Sequence, residues 1–187
     1  TGPEDVTVTG TISVDQASKV LDTTYNISDA AHIVAAAMNA SDAEVNNAQT
    51  IATTNDGNVD LSFAEADALL NGTTDASQTG TGPEDVTVTG TISVDQASSV
   101  LGATYDISDT AETVASALTA GNREVNDARS IEATNDGNVD LSFADADSLL
   151  NGNGAAPIQT GTGAADVTVT GTISVAQASS VQGTRYD

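Results

Sequence analysis

Cysteine and tryptophan are absent from this chain, methionine and histidine occur once each, and aromatic residues make up only 3% of it. Without cysteine there is no disulfide to staple the fold, no thiol chemistry and no Cys-ligated zinc. Without large aromatics the core must be assembled from Val, Ile, Leu and Ala, which suits thin, stacked architectures better than one large hydrophobic centre. Basic residues are also scarce: 4 Lys and Arg stand against 27 Asp and Glu, for a formal net charge of −23 and a pI near 4.1. A surface of that sign keeps a protein soluble and repels nucleic acid and anionic membranes, so a nucleic-acid role is excluded. No apolar run approaches the ~20 residues that span a bilayer. No signal peptide stands at the start, where residue 1 opens in the middle of a pattern.

The acids are dispersed as single residues among Val, Ile, Ala and Thr, and 39% of the 187 residues are hydrophobic. That composition fits a folded chain with a carboxylate-covered surface rather than disorder. Its dominant feature is repetition. TGPEDVTVTGTISVDQAS at 1–18 returns unchanged at 81–98 and, slightly altered, as TGAADVTVTGTISVAQAS at 162–179. TNDGNVDLSFA at 54–64 recurs at 134–144. The period is about 80 residues, lengthened by one before the third copy within the Gly-rich stretch 151–163. The copies are therefore residues 1–80, 81–161 and a truncated third at 162–187. The third stops partway through the TYDIS element seen at 104–108, which reads as a fragment of a longer array.

Within each copy, alternation at Ile12/Val14, Tyr25/Ile27 and Val59/Leu61 predicts short strands. Each then meets Ser or Asp and continues as an Ala-rich stretch of helical spacing, with Val20 and Leu21 following Ala17, and Leu69 and Leu70 following Ala66. Ser62 with Glu65 makes a capping box, echoed by Ser142 with the shorter Asp145. Ser28 and Asp29, like Ser108 and Asp109, supply N-cap oxygens and first-turn negative charge. Two further strands, 6–10 and 49–55, lack a helix. The expectation is an α/β repeat solenoid of short parallel strands alternating with short Ala-rich helices, since no such element buries its face alone. The alternative is a row of small domains of about 80 residues.

The motifs TISVDQAS (11–18) and YDISDTAETVASAL (105–118) resemble tandem repeats of giant bacterial extracellular and cell-surface proteins, as in cyanobacteria. That resemblance implies export by a type I system, an extracellular or cell-surface location, and an adhesin, S-layer-like or filament role, often beside calcium-binding repeats. The G-G-x-G-x-D nonapeptide of such calcium-binding repeats is not found here.

The candidate metal site is calcium at an oxygen-rich loop, Asn55, Asp56, Asn58 and Asp60 around Gly57, repeated as Asn135, Asp136, Asn138 and Asp140 around Gly137. Calcium takes six to eight oxygens from carboxylates, amides and carbonyls, and these residues offer them. An EF-hand is excluded, because aligning Gly57 with its invariant glycine puts Ala52 and Phe63 at the first and last ligand positions. The same residues are also strong turn formers, so a plain turn stands as the alternative. Asp5, Asp15 and Asp29 join a site only where packing brings them near.

No catalytic constellation emerges. His32 is Glu112 in the second copy, and the pairs Glu65/Asp67 and Asp145/Asp147 sit two apart, a spacing at which helix side chains do not face each other. Thr7, Thr9 and Thr11 line one strand face, an ice-binding pattern, but only once per copy, and strand propensity explains it. The expected role is structural: a non-enzymatic repeat region of a large secreted or surface protein, self-associating with neighbouring repeats or copies into a rod, filament or surface layer. The alternative is the spacer stalk of a giant adhesin, stiffened by calcium.

Overall fold

The computed structural model describes residues 6–54, 58–72, 77–135, 138–152 and 158–186. Among them the chain is α/β, with three mostly parallel sheets of four, five and three strands and short helices between the strands. It divides into two compact units, Thr1–Thr89 and Gly90–Asp187.

The first unit runs β1 (Thr7–Ile12), α1 (Val14–Ala17), β2 (Thr24–Asp29), α2 (Ala31–Ala40), α3 (Ala43–Asn46), β3 (Thr50–Thr53), β4 (Val59–Leu61), α4 (Phe63–Asn71) and β5 (Ser77–Thr79). A 3-10 turn at Pro83–Asp85 then leads into β6 (Val86–Ile92), inside which the division falls. Its four-stranded sheet has the order β1-β2-β3-β5, in parallel register with Ile12 beside Ile27 and Ile27 beside Ile51. Thr7–Ile12 forms one strand rather than two short pieces, and Val14, expected to continue the second piece, is instead the first residue of α1 because Ser13 caps a helix there. Gly10, at φ +86°, supplies the left-handed residue at which the register against β2 shifts.

Side chains alternate in and out along β2, so Tyr25 and Ile27 are buried while Asn26 and Ser28 are half-buried. Against them α2 turns Ala31, Val34, Ala35, Ala37 and Met38, a spacing that keeps them on one helical face. Val45, Ile51, Leu61 and Leu69 complete a core built almost wholly of aliphatic side chains. Each such side chain contributes about 1.5–3 kcal/mol when fully buried. The one large ring, Tyr25, donates its hydroxyl to the Glu44 carbonyl at 2.9 Å, so its polar tip is satisfied where α3 passes over the sheet.

The second unit repeats the plan with α5 (Val94–Ala97), β7 (Thr104–Thr110), α6 (Ala111–Ala120), α7 (Arg123–Asn126), β8 (Ser130–Thr134), β9 (Val139–Leu141), α8 (Phe143–Asn151) and β10 (Ile158–Gly161). The third copy adds a 3-10 turn at Ala164–Asp166, β11 (Val167–Val169), α9 (Val175–Ser180) and β12 (Arg185–Tyr186). Strands β7, β8 and β10 pair in parallel, with Ile107 beside Ile131 and Ile131 beside Gln159. Strands β12, β11 and β9 form the three-stranded sheet. Tyr105 takes the place of Tyr25 and donates to the Glu124 carbonyl at 3.0 Å.

Three features depart from the sequence expectation. The helices after β2 and β7 start at Ala31 and Ala111, with Ala30 and Thr110 as N-caps rather than Ser28 or Ser108. The reason is strand pairing, because Ser28 and Asp29 stay extended beside Ala52 and Thr53. Helix α3 and strand β5 were not anticipated, and both are too short to carry a periodic signal.

Candidate functional site: the junction between copies

The opening strands of the second and third copies each pair with the V-D-L strand of the copy before. In the first unit β4 lies beside the start of β6, with Val59 opposite Val86, Asp60 opposite Thr87 and Leu61 opposite Val88. In the second unit β9 lies beside β11 in the same register, with Val139 opposite Val167, Asp140 opposite Thr168 and Leu141 opposite Val169. Val86, Val88, Val167 and Val169 are 0–1% exposed at these junctions. Alternation explains the arrangement: in V-D-L the two apolar residues face inward and the central Asp faces water.

Hydroxyls reinforce the seam. Thr89 Oγ1 donates to the Leu61 carbonyl at 3.1 Å, and Thr170 Oγ1 to the Leu141 carbonyl at 3.2 Å. The Thr170 N–H reaches the same carbonyl at 2.8 Å. Immediately beyond each V-D-L strand the chain turns into a helix at a serine cap. Ser62 accepts from the Glu65 N–H, and the Glu65 carboxylate accepts from the Ser62 N–H at 3.0 Å and from its hydroxyl at 2.6 Å. These bonds hold the Glu65 carboxyl below its ordinary pKa. In the second unit α8 rests on β11, and Asn151 Nδ2 donates to the Ser180 carbonyl at 2.8 Å at the end of α9.

A second recurrent device is an aspartate at a strand end. Asp29 closes β2 and accepts two backbone N–H groups, from Val14 at 3.0 Å and Ala30 at 2.8 Å. Asp109 repeats this with Val94 at 3.0 Å and Thr110 at 2.7 Å. One carboxylate thus satisfies the first N–H of a short helix and fixes the turn into the next. A third cluster belongs to the second unit alone. Asp106 accepts from the Arg129 guanidinium and from Ser130 Oγ at 2.6 Å. The guanidinium, with the Ser130 bond assisting, holds the Asp106 carboxyl below its ordinary range. In the first unit the same positions are Asn26, Gln49 and Thr50, and an uncharged bond from Thr50 to Asn26 at 2.8 Å replaces the ion pair.

Of the calcium candidates, Asn55, Asp56 and Asp136 lie outside the described residues. Asp60 and Asp140 are the exposed central residues of β4 and β9, with Asn58 and Asn138 one residue before those strands. Asn135 is placed differently. Its Oδ1 accepts the N–H of Ala111 at 2.7 Å, which commits this oxygen to the start of α6. Asp15 pairs with Lys19 at 3.2 Å on an exposed helix face, and Asp29 is the clamp described above. Among the described residues no three His, Asp or Glu side chains converge on one point.

His32 is exposed on α2, at the position of the exposed Glu112 on α6. Two equivalent clefts lie where β3 meets α4 and β5, and where β8 meets α8 and β10. They are lined by residues such as Ile51, Thr53 and Thr81, and Ala133, Leu149 and Thr162. The described walls of both hold aliphatic side chains, threonines, amides and glycines without a charged group.

From sequence, Val59/Leu61 and the first-copy row Thr7, Thr9 and Thr11 read as strand residues and not as a junction. Alternation marks them as strand, but no local signal says that their partner lies in another copy. Fold and junctions together define a tandem-repeat α/β protein in which the V-D-L strand of one copy pairs with the opening strand of the next. Comparison with protein-family models, with curated proteins and with solved structures returned no match. Among the described residues no helix is long and apolar enough to cross a membrane.

Proposed function

We propose that this chain is a structural repeat region of a large secreted or cell-surface protein, continuing as a solenoid and self-associating into a rod, filament or surface layer. The observation that carries the reading is the shared sheet edge: Val86/Val88 and Val167/Val169 are buried where a strand of the preceding copy pairs beside them. A stack in which each copy contributes strands to its neighbour's sheet gains its stability from interfaces as well as from each copy, as in repeat proteins generally. The near-identical copies make those interfaces equivalent, and a head-to-tail contact that does not close into a ring extends without limit.

The acidic surface fits the same reading, since a charge of −23 discourages lateral clumping and any nucleic-acid partner. Salt or divalent cations relax the repulsion. The Asn55–Asp60 and Asn135–Asp140 loops are the places at which calcium would stiffen the array. No catalysis is part of this reading.

Electron microscopy of a multi-copy chain, with calcium and then with excess chelator, tests it. The expected result is uniform rods or sheets with an axial repeat set by the copy. Rods that dissolve on chelation make the two loops the ion sites, whereas rods unchanged by chelation make them turns. Single rods without lateral order point to an adhesin stalk. Flexible strings of beads under both conditions overturn the solenoid.

A further inference from the structure

Strand β1 repeats the sequence of 87–92 in β6, yet among the described residues it stands at the end of its sheet, paired with β2 alone. Its valines are correspondingly uncovered. Val6 is 50% exposed and Val8 half-buried, while their counterparts Val86 and Val88 are 0% and 1% exposed. Thr9, Thr89 and Thr170 are all exposed, and Thr89 and Thr170 each donate to a carbonyl of the arriving strand. The backbone is nevertheless already shaped for a partner. Gly10 holds φ +86°, against +78° at Gly90 and +83° at Gly171, so the left-handed glycine after the strand's V-T-V-T run is present with and without a neighbour. An open edge with unpaired backbone groups and an apolar face is a template for strand addition.

We propose that the free edge of β1 is a docking site for the strand–helix segment Asn58–Asn71 of another copy of this repeat. The inference rests on the structural-array reading and names its interface. The occupant is identified by the molecule itself: at both other copies of this opening strand, a V-D-L strand followed by a serine-capped helix covers the edge in one register. Transferred to β1, that register sets Val59 beside Val6, Asp60 beside Thr7 and Leu61 beside Val8. The Leu61 carbonyl then receives the Thr9 hydroxyl. The end of the arriving helix places its Asn71 amide at the Lys19 carbonyl, as Asn151 meets the carbonyl of Ser180. Asp60 points outward, so the segment brings no buried charge.

The test uses the full chain and a free peptide, Asn58–Gly72, followed by amide hydrogen exchange. The expected result is saturable one-to-one binding that slows exchange at Val6–Thr9 and leaves the β5 edge unchanged. Leu61→Asp in the peptide, or Val8→Asp in the chain, weakens binding at least tenfold, and the Val8→Asp chain keeps its circular dichroism spectrum. Joining residues 54–80 as an extension ahead of Thr1 raises the local concentration to about millimolar and removes affinity as a limit. Val6 and Val8 amides in that chain exchange as slowly as those of Val86 and Val88. Exchange at Val6–Thr9 that the extension leaves unaltered overturns the proposal, as does peptide protection confined to another edge. Protection of β1 at high protein concentration without peptide overturns it in favour of pairing between two β1 strands. Rods in the microscope together with an unprotected β1 remove this interface and leave the array reading standing.

Discussion

Ser41 and Gly121 occupy the same position after α2 and α6, and both hold the left-handed backbone, at φ 57° and 69°. Each donates its N–H back to the helix end, to Met38 and Leu118. Only glycine adopts that conformation without a Cβ penalty. No atom outside its neighbours lies within 4 Å of a Cβ built on Gly121, so strain is the main difference between the two sites. Ser41→Gly should raise stability by about 0.5–1 kcal/mol, and Gly121→Ser should lower it similarly, read as opposite shifts in thermal midpoint. Gly161 is a stricter case: at φ +101°, its added Cβ would collide with the Ala133 backbone.

The ion pair of the second unit sets a pH dependence at the same scale. Arg129 holds the Asp106 carboxyl below its ordinary pKa, so the folded state favours the ionised acid. The stabilisation is therefore complete above the usual aspartate value of about 3.9 and fades as pH falls through the lowered folded value. Asp106→Asn should lower the thermal midpoint at neutral pH and have a smaller effect near pH 2, measured by calorimetry across that range. Tyr105 behaves oppositely. Burial, with the nearby Asp127 and Glu124 charges assisting, pushes its hydroxyl up to about 12, so its stabilising effect is present below about 10 and is lost as pH rises through about 12.

At the scale of elements, the helices are too short to persist alone, and their ends decide whether they form. Ser13/Gln16, Ser93/Gln96 and Ser174/Gln177 each make reciprocal boxes, as does Ser62/Glu65. Asp145 accepts the Ser142 hydroxyl at 2.6 Å, without the reciprocal box that Glu65 makes. Asp145→Glu supplies the missing methylene and should stabilise the second unit by about 0.3–1.5 kcal/mol, checked by urea unfolding of the full chain.

The Ser13 cap is hidden in the sequence by the Ile12/Val14 alternation, which reads as strand across it. The Ser62/Glu65 box is legible because a cap is a local contract between residues three apart. The starts of α2 and α6 were misplaced for the opposite reason: Ser28 and Asp29 are held in a strand by residues more than twenty positions away. Alternation told which face Val86 and Val88 present, and gave no information on which strand lies beside them. For the same reason Asp29 and Asp109 read as caps of the helix that follows, whereas each also reaches the N–H of the helix before.

At the scale of the whole molecule, the repeat in sequence and the repeat in structure are out of phase. A copy ends at residue 80, yet the compact unit runs on through Thr89, because β4 is incomplete without Val86 and Val88. Val175 is 87% exposed where its counterpart Val94 is 8% exposed, and Tyr186 is 48% exposed where Tyr105 is fully buried. An aliphatic core with few aromatics leaves each copy little margin of its own, so the shared edges carry a correspondingly large part of the stability.

Coupling between copies is the central claim, and equilibrium urea unfolding of chains with two, three and four complete copies at one salt concentration measures it most directly. Copies that complete one another's sheets predict a midpoint that rises with copy number and levels off, as nearest-neighbour interfaces accumulate. A midpoint independent of copy number, with each copy unfolding alone, would contradict the account and describe a string of separate domains.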